Sequence, residues 1–409
     1  MKKLLLLFGV VLSACADVPL NQNATTLINH HHARQQSATQ TQKDSYYYLL
    51  GIGSKDEPLQ AGKVYTDELQ ALLKQHASEE EILALNQQHP VHEVVIFDEG
   101  NDDNTGLFCQ YQVSGSQNPH ACFESLLTQK FDISKNKTVH DRYATFLKNS
   151  PAIMQGDFHF SMHYPQYAIL IKGQRLHFIH LLKTHHPSQV MQGLLDELSS
   201  LRAYLANANL LIDKILYANM IANQIQTIVL YHTHNPTIKP TISPMTADEL
   251  SFNTAITGEF MGVYYLFNHL DKDINTTLFY KKHKTINDVA NTMSEQINMA
   301  KLPASEFAAH YHHDNKSTQK KLDPTNVIGK TLADVGEYDY RSYMVKVKSL
   351  DNLINIANHH INGVPLTNVF APTLTGSLIE STHICLQNPT SGNDVATTKQ
   401  DKKFECLNI

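Results

Sequence analysis

Residues 187–236 read PSQVMQGLLDELSSLRAYLANANLLIDKILYANMIANQIQTIVLYHTHNP. Val190, Leu194, Leu198, Leu201 and Leu205 recur at steps of three and four. Leu211, Ile215, Ala218, Ile221, Ile225 and Ile228 carry the same step on to His234-Asn235-Pro236. That period puts the apolar side chains on one stripe of an α-helix. Ser188, behind Pro187, offers a cap to start it. The stretch predicts sustained amphipathic helix and a mainly α fold.

The pattern extends outward in both directions. Downstream, Pro236, Pro240 and Pro244 form a connector. Thr246 with Glu249 then makes a capping box that predicts a helix over Ala247–His269. Further helices are predicted at Ile286–Met299, Val327–Val335, Tyr338–Val347 and Leu350–His360. Upstream, Thr66 offers a cap for Leu69, Leu72 and Leu73, and Ser78 with Glu81 forms another capping box ahead of Ile82 and Leu85. Val94-Val95-Ile96-Phe97 reads as extended, followed by the turn-rich Glu99 to Asn104. Short helices joined by Pro- and His-containing loops predict an irregular helical bundle over residues 46–370. Residues 371–409, rich in Thr, Ser and Gly, read as a loop-rich C-terminal extension.

The first residues follow different rules. Lys2 and Lys3 precede an apolar run from Leu4 to Leu12, about half of the ~20 residues that a membrane-spanning helix needs. Residues 1–14 therefore read as a removable signal peptide. From Ala16 to about Ser45 the chain is polar, with a His30-His31-His32 triplet and no evident apolar period. Residues 15–45 are expected to form a disordered tether, with folded structure beginning at Tyr46-Tyr47-Tyr48.

Composition narrows the rest. Hydrophobic residues make up 42% and charged residues 18%, which describes a packable globular chain. The net charge is −6, and loss of Lys2 and Lys3 makes it two units more acidic, so a nucleic-acid partner is not expected. No apolar stretch after Cys15 is long enough to span a bilayer. Of five cysteines, setting Cys15 aside leaves Cys109, Cys122, Cys385 and Cys406. Three pairings are possible in an oxidising compartment. Proximity favours Cys109–Cys122 and Cys385–Cys406, the second closing the C-terminal loop. No C-x2-C spacing suggests zinc.

Signals for chemistry are weak. The 24 histidines cluster at His30–His32, His159/His163, His177/His180, His185-His186, His232/His234, His310/His312/His313 and His359-His360. His159/His163 and His310/His313 have helical ligand spacings, but none carries the Glu of an H-E-x-x-H helix. Compositional enrichment explains them better than a metal site, and any metal is left unassigned. Gly156-Asp157-Phe158-His159 resembles the G-D-x-H start of metallophosphoesterases, yet their downstream steps are absent. There is no G-x-S-x-G, P-loop or G-x-G-x-x-G. Asp196-Glu197, Asp213 and Glu259 read as solvated helix positions. Asn219 and Asn223 read as polar groups that fix helix register. No catalytic residue and no cofactor are assigned.

Two resemblances add to this. Leu12-Ser13-Ala14-Cys15 resembles the lipobox of bacterial lipoproteins, which implies cleavage before Cys15 and lipid on its thiol. One acyl chain anchors only marginally, so the two or three chains of that family make physical sense. Ala16-Asp17, without Asp directly after the cysteine, implies transfer to the outer membrane. The body is similar to a set of uncharacterised proteobacterial envelope proteins of unknown activity. That similarity runs through Tyr46 to Ile52, Phe108-Cys109, Cys122-Phe123, Asp141-Arg142-Tyr143, Leu211 to Ala218, Ser243 to Glu249 and Asp323 to Gly329. It implies one contiguous unit and an intrachain Cys109–Cys122 pair, and it transfers no catalytic residue. The resulting expectation is a lipid-anchored, periplasm-facing binding or scaffolding module with an envelope protein partner. The alternatives are a periplasmic metal-dependent hydrolase and a carrier of a lipid or other apolar ligand.

Overall fold

The computed structural model describes residues 17–89, 119–128, 133–270, 280–313, 326–335, 339–371, 377–380, 383–387 and 404–408. It is a mainly α-helical, irregular bundle with one small sheet. Val94–Phe97 lies outside the described residues.

Residues 187–234 form two helices, α8 (Pro187–Ala206) and α9 (Leu211–His234). They pack antiparallel. Lys214 reaches the Leu205 carbonyl, Gln224 the Leu194 carbonyl, and Tyr231 the Pro187 carbonyl. Asn207 to Leu210 breaks what the apolar period alone joins, because Asn207 and Asn209 turn their side chains onto nearby backbone carbonyls. His186, not Ser188, is the N-cap residue.

Before this hairpin come α1 (Gln22–Ser37), α2 (Gln40–Leu50), α3 (Pro58–Lys74), α4 (Glu79–Gln88), α5 (Pro119–Thr128), α6 (Lys137–Lys148) and α7 (Tyr167–Thr184). After it come α10 (Ala247–Leu250), α11 (Asn253–His269), α12 (Lys282–Ala300), α13 (Ala304–His313), α14 (Val327–Val335) and α15 (Arg341–Asn362). The Ser78–Glu81 and Thr246–Glu249 capping boxes both form. The second opens only a single turn, since Ser251 and Phe252 interrupt the predicted Ala247–His269 helix. The two helices expected at Tyr338–Val347 and Leu350–His360 are one, ended by Gly363 in the left-handed region at φ 69°. Helix α3 starts at Pro58 under a Glu57 cap, and Thr66 is buried inside it, donating to the Gly62 carbonyl.

The tether expectation for residues 15–45 is overturned from Gln22 onward. Helix α1 buries Ala24, Leu27 and His31 against α11 and α12. Its polar residues bond to the body: Arg34 to Asn209 and Asn207, and Gln35 to the Gly156 carbonyl. Composition misjudged this segment because a helix with few apolar anchors is held here by side-chain hydrogen bonds. Helix α2 then crosses α3 closely. Gly62 makes this possible, as any Cβ there would strike the Tyr47 carbonyl oxygen.

The C-terminal extension is also more ordered than a loop. Strands β1 (Ser377–Glu380), β2 (His383–Gln387) and β3 (Phe404–Asn408) form an antiparallel sheet in that order. Cys385 and Cys406 face each other in register and form a disulfide. β3 packs against α9 and α15, so Ile384, Leu386 and Leu407 join the main core. The Cys109–Cys122 pair lies outside the described residues.

Candidate functional site

The most concentrated chemistry lies inside the bundle, along a polar seam where α7 runs beside α9. Tyr167 donates to Asp213 and Gln174 to the Met220 carbonyl, both across 46 residues, so the two helices are parallel and in constant register. Along this seam Glu197, Asp213, Lys214 and Gln224 are all buried.

Its first part is the opening turn of α9. Asp213 Oδ2 accepts from the Leu210 amide at 3.1 Å, and Glu259 Oε1 accepts from the Leu211 amide at 3.0 Å. Two carboxylates thus satisfy amides that a helix start leaves free. Tyr167 Oη completes Asp213 at 2.6 Å. Burial pushes the Asp213 carboxyl up, against hydrogen bonds and the nearby Arg34 guanidinium. Glu259 is pushed up to about 7, by burial first and then by the Asp213 charge. Arg34 is fixed by Asn209 Oδ1 at 2.8 Å and the Asn207 carbonyl at 2.6 Å.

The second part is Lys214. Its Nζ donates to the Leu205 carbonyl at 2.8 Å and to the Glu249 carbonyl at 2.7 Å, and sits 5.5 Å over the Phe252 ring. A buried ammonium here caps the last carbonyls of α8 and α10. Burial depresses it to about 7. Lys348 repeats the device at the end of α12, donating to the Ala300 and Leu302 carbonyls beside Phe307. Arg202 holds the Glu249 carboxylate at 2.7 Å.

The third part is deepest. Tyr143 Oη donates to Glu197 Oε1 at 2.5 Å, and Gln224 Nε2 to Glu197 Oε2 at 3.0 Å. Gln174 bonds Gln224 in turn at 3.3 Å. Burial lifts the Glu197 carboxyl to about 8. The expectation that Glu197, Asp213 and Glu259 are solvated is therefore wrong: Glu197 is 2% and Asp213 5% exposed. The register role expected of Asn219 and Asn223 falls to Gln224, since both asparagines are half-exposed.

Two small clefts flank the opening turn of α9, one on each side of Met154 and Asn209. One is lined by His30, His31, Arg34 and Thr257, the other by Tyr46, His163, Tyr167 and Asp213. They give a water-sized molecule about 10 and about 20 Å³ of room, enough for one or two waters. The seam can hold protons and fix helix register.

The predicted histidine sites fare unevenly. His30 and His31 turn inward and His32 outward; burial depresses His31 to about 4. His159 and His163 do not share a helix, because residues 156–164 are irregular. Gly156 has φ 80°, and Gln70 clasps the turn by bonding both the Asp157 amide and its carbonyl. That clasp gives Gly156-Asp157 of the G-D-x-H match a structural job. His232 Nδ1 and His359 Nδ1 bond the Ile238 and Val364 carbonyls. His177 and His180 both lie against His140 of α6, which belongs to none of the sequence clusters. Among the described residues, no group of three or more His, Cys, Asp or Glu side chains could hold a metal ion. The His312 and His313 side chains lie outside the described residues. The same holds for Cys15, the expected lipid site. No described helix is long and apolar enough to cross a membrane.

Each residue of Asp141-Arg142-Tyr143 has a place in the fold. Asp141 bonds His140, Arg142 donates to the Ile52 and Ser54 carbonyls at 2.6 Å, and Tyr143 reaches Glu197. No protein-family model matches the chain, and neither a curated protein nor a solved structure matches it.

Proposed function

We propose that the protein is a lipoprotein acylated on Cys15, whose helical body is a binding or scaffolding module held directly against an envelope membrane. The observation that carries this reading is how the chain docks just after the anchor position. The His283 amide donates to Asp17 Oδ2 at 2.9 Å, and His283 Nδ1 lies 2.9 Å from the Val18 carbonyl. Asn287 bonds both the Asn21 amide and the Pro19 carbonyl. Only Ala16 separates Asp17 from Cys15, and an extended residue spans at most about 3.6 Å. Acyl chains on Cys15 would therefore bring the N-terminal end of α12 to the bilayer with no slack.

Exposed apolar groups support recognition at the surface. Leu266, 42% exposed, lies one residue before Phe267, whose carbonyl accepts from the Tyr280 hydroxyl just ahead of α12. Ile171 and Ile212 stand 45% and 49% exposed on the neighbouring helices α7 and α9.

Site-specific photo-crosslinking in intact cells tests the reading. A crosslinker at Leu266 is expected to capture phospholipid, and one at Ile171 or Ile212 an envelope protein. Cys15→Ala is expected to abolish acylation and release the chain from membranes. An unchanged membrane fraction in that variant overturns the anchor, and no reproducible adduct at Ile171 or Ile212 overturns the binding module.

A further inference from the structure

Three large apolar side chains left in the open come from three elements and gather around one short loop. Leu83 of α4 is 45% exposed, Phe160 of the irregular 156–164 segment 42%, and Leu266 of α11 42%. Ser161 links the first two. Its hydroxyl donates to Glu79 Oε1 at 2.8 Å and its carbonyl accepts from Asn86 Nδ2 at 2.7 Å, so the loop lies along the α4 face that carries Leu83 between them. Gly262 links the other two. The tip of the Phe160 ring is 3.0 Å from where a side chain at Gly262 would start, and Leu266 stands one turn further along the same face of α11.

The loop holds Phe160 outward. Phe158 takes the buried place against Gly262 and meets Phe160 edge-on, with ring centroids 5.2 Å apart. Gln70 clasps Asp157 on one side, and on the other the His163 amide donates to Tyr65 Oη at 2.7 Å. His159 packs edge-on against Tyr265 of α11. A clasped loop that keeps an aromatic ring in water, beside two open leucines, marks a surface that another apolar phase covers.

The anchor position selects the phase. Phe267, next to Leu266, accepts at its carbonyl from Tyr280 Oη at 3.0 Å, and three residues after Tyr280 the His283 amide holds Asp17. Val18 is itself 40% exposed at that junction. The open apolar side chains thus run on from the segment that leads back to Cys15. We propose that Leu83, Phe160 and Leu266 form a membrane-inserting face, which dips into the interfacial layer of the bilayer that holds Cys15. The inference rests on lipid at that residue. Weak contact is enough, because the acyl chains keep the face within reach and make its insertion an intramolecular event. Glu79, Glu80 and Glu81 stand beside Leu83 in the first turn of α4. That acidic edge suits neutral headgroups and acyl chains, and repels anionic lipid.

The chain has no tryptophan, so a single fluorescent probe can be placed at will. Phe160→Trp, Leu83→Trp and Leu266→Trp alter exposed side chains and are expected to fold. Each full acylated chain is reconstituted in vesicles of phosphatidylcholine and phosphatidylethanolamine. Emission should shift to the blue and be quenched by lipids brominated at a shallow acyl position, since an interfacial apolar face sits about 5–10 Å deep. Added phosphatidylglycerol should not increase the quenching, and salt should not reduce it. Ile171→Trp should stay unquenched. The mass of the N-terminal peptide reads acylation separately. An acylated chain with no quenching at position 160, or with equal quenching at position 171, overturns the face and leaves the anchor standing. For an unacylated chain, quenching at position 160 by added vesicles upholds the face without the anchor, and none overturns both. Capture of a second copy or another protein by a photo-crosslinker at Phe160, in place of phospholipid, also overturns the face.

Discussion

The Tyr143 hydroxyl donates to the Glu197 carboxyl at 2.5 Å, and neither group touches solvent. Burial raises the Glu197 pKa from its ordinary 4.5 to about 8. The folded state thus binds this proton more tightly than the unfolded chain. The stabilising contribution is full below pH 4.5 and is lost as pH rises through about 8. The urea midpoint should therefore fall across that window. Glu197→Gln, which keeps a hydrogen-bonding amide in place of the carboxyl, should flatten the fall and stabilise the alkaline end by about 1–3 kcal/mol. Glu259, raised to about 7, leaves a smaller slope behind. A wild-type midpoint that does not change with pH rules out a proton held at Glu197.

The position of Glu197 was legible in principle. It falls three residues after Leu194 and four before Leu201, inside the apolar stripe of α8. Lys214 and Gln224 interrupt the stripe of α9 in the same way, beside Tyr217, Ile221 and Ile225. At Glu197 charge outweighs spacing in a local reading, whereas the partners that satisfy these positions come from other helices. Partners such as Tyr143 and Gln174 are distant in sequence, so no local pattern reports them. The α8–α9 hairpin was readable because its apolar period is self-contained. Helix α1 was not, since Ala24, Leu27, Ile28 and His31 give the right steps with too little apolar bulk. His140 was missed because its partners at 177 and 180 lie on another helix.

Helix α1 makes a direct prediction about proteolysis. Arg34 is bonded to Asn209 and Asn207, and Leu27 is 3% exposed. Native trypsin treatment should therefore leave the Arg34–Gln35 bond intact, where a free tether would be cut first. Leu27→Ala should destabilise the whole body by about 2–5 kcal/mol. Rapid release of the N-terminal peptide, or a Leu27→Ala protein as stable as the parent, contradicts a docked α1.

Lys214 predicts the opposite pH trend from Glu197. Its pKa drops from 10.5 to about 7 on burial. For this depressed group, stability is full above pH 10.5 and is lost as pH falls through about 7. The two trends overlap between about pH 7 and 8, where both groups cost the fold and stability should dip. Lys214→Met strands the Leu205 and Glu249 carbonyls, so it should destabilise by about 1–3 kcal/mol. It should also remove the rise on the alkaline side, measured as urea midpoints from pH 7 to 10.5. A variant that keeps the alkaline rise places its origin elsewhere.

The disulfide joins the last two strands of the sheet. Cys385 and Cys406, 21 residues apart, bridge β2 to β3, and β3 rests on α9 and α15. Closing a loop of this length restricts the unfolded chain by about 3 kcal/mol. Reduction, or Cys385→Ser with Cys406→Ser, should lower the melting temperature. Because Ile384, Leu386 and Leu407 are buried in the main core, the loss should appear in the global transition. Helical signal at 222 nm and the fluorescence of a probe attached near Gln387 should then melt together in the oxidised protein. If reduction detaches the sheet while the helical transition keeps its midpoint, the sheet is an appendage and its apolar contacts contribute nothing to the bundle.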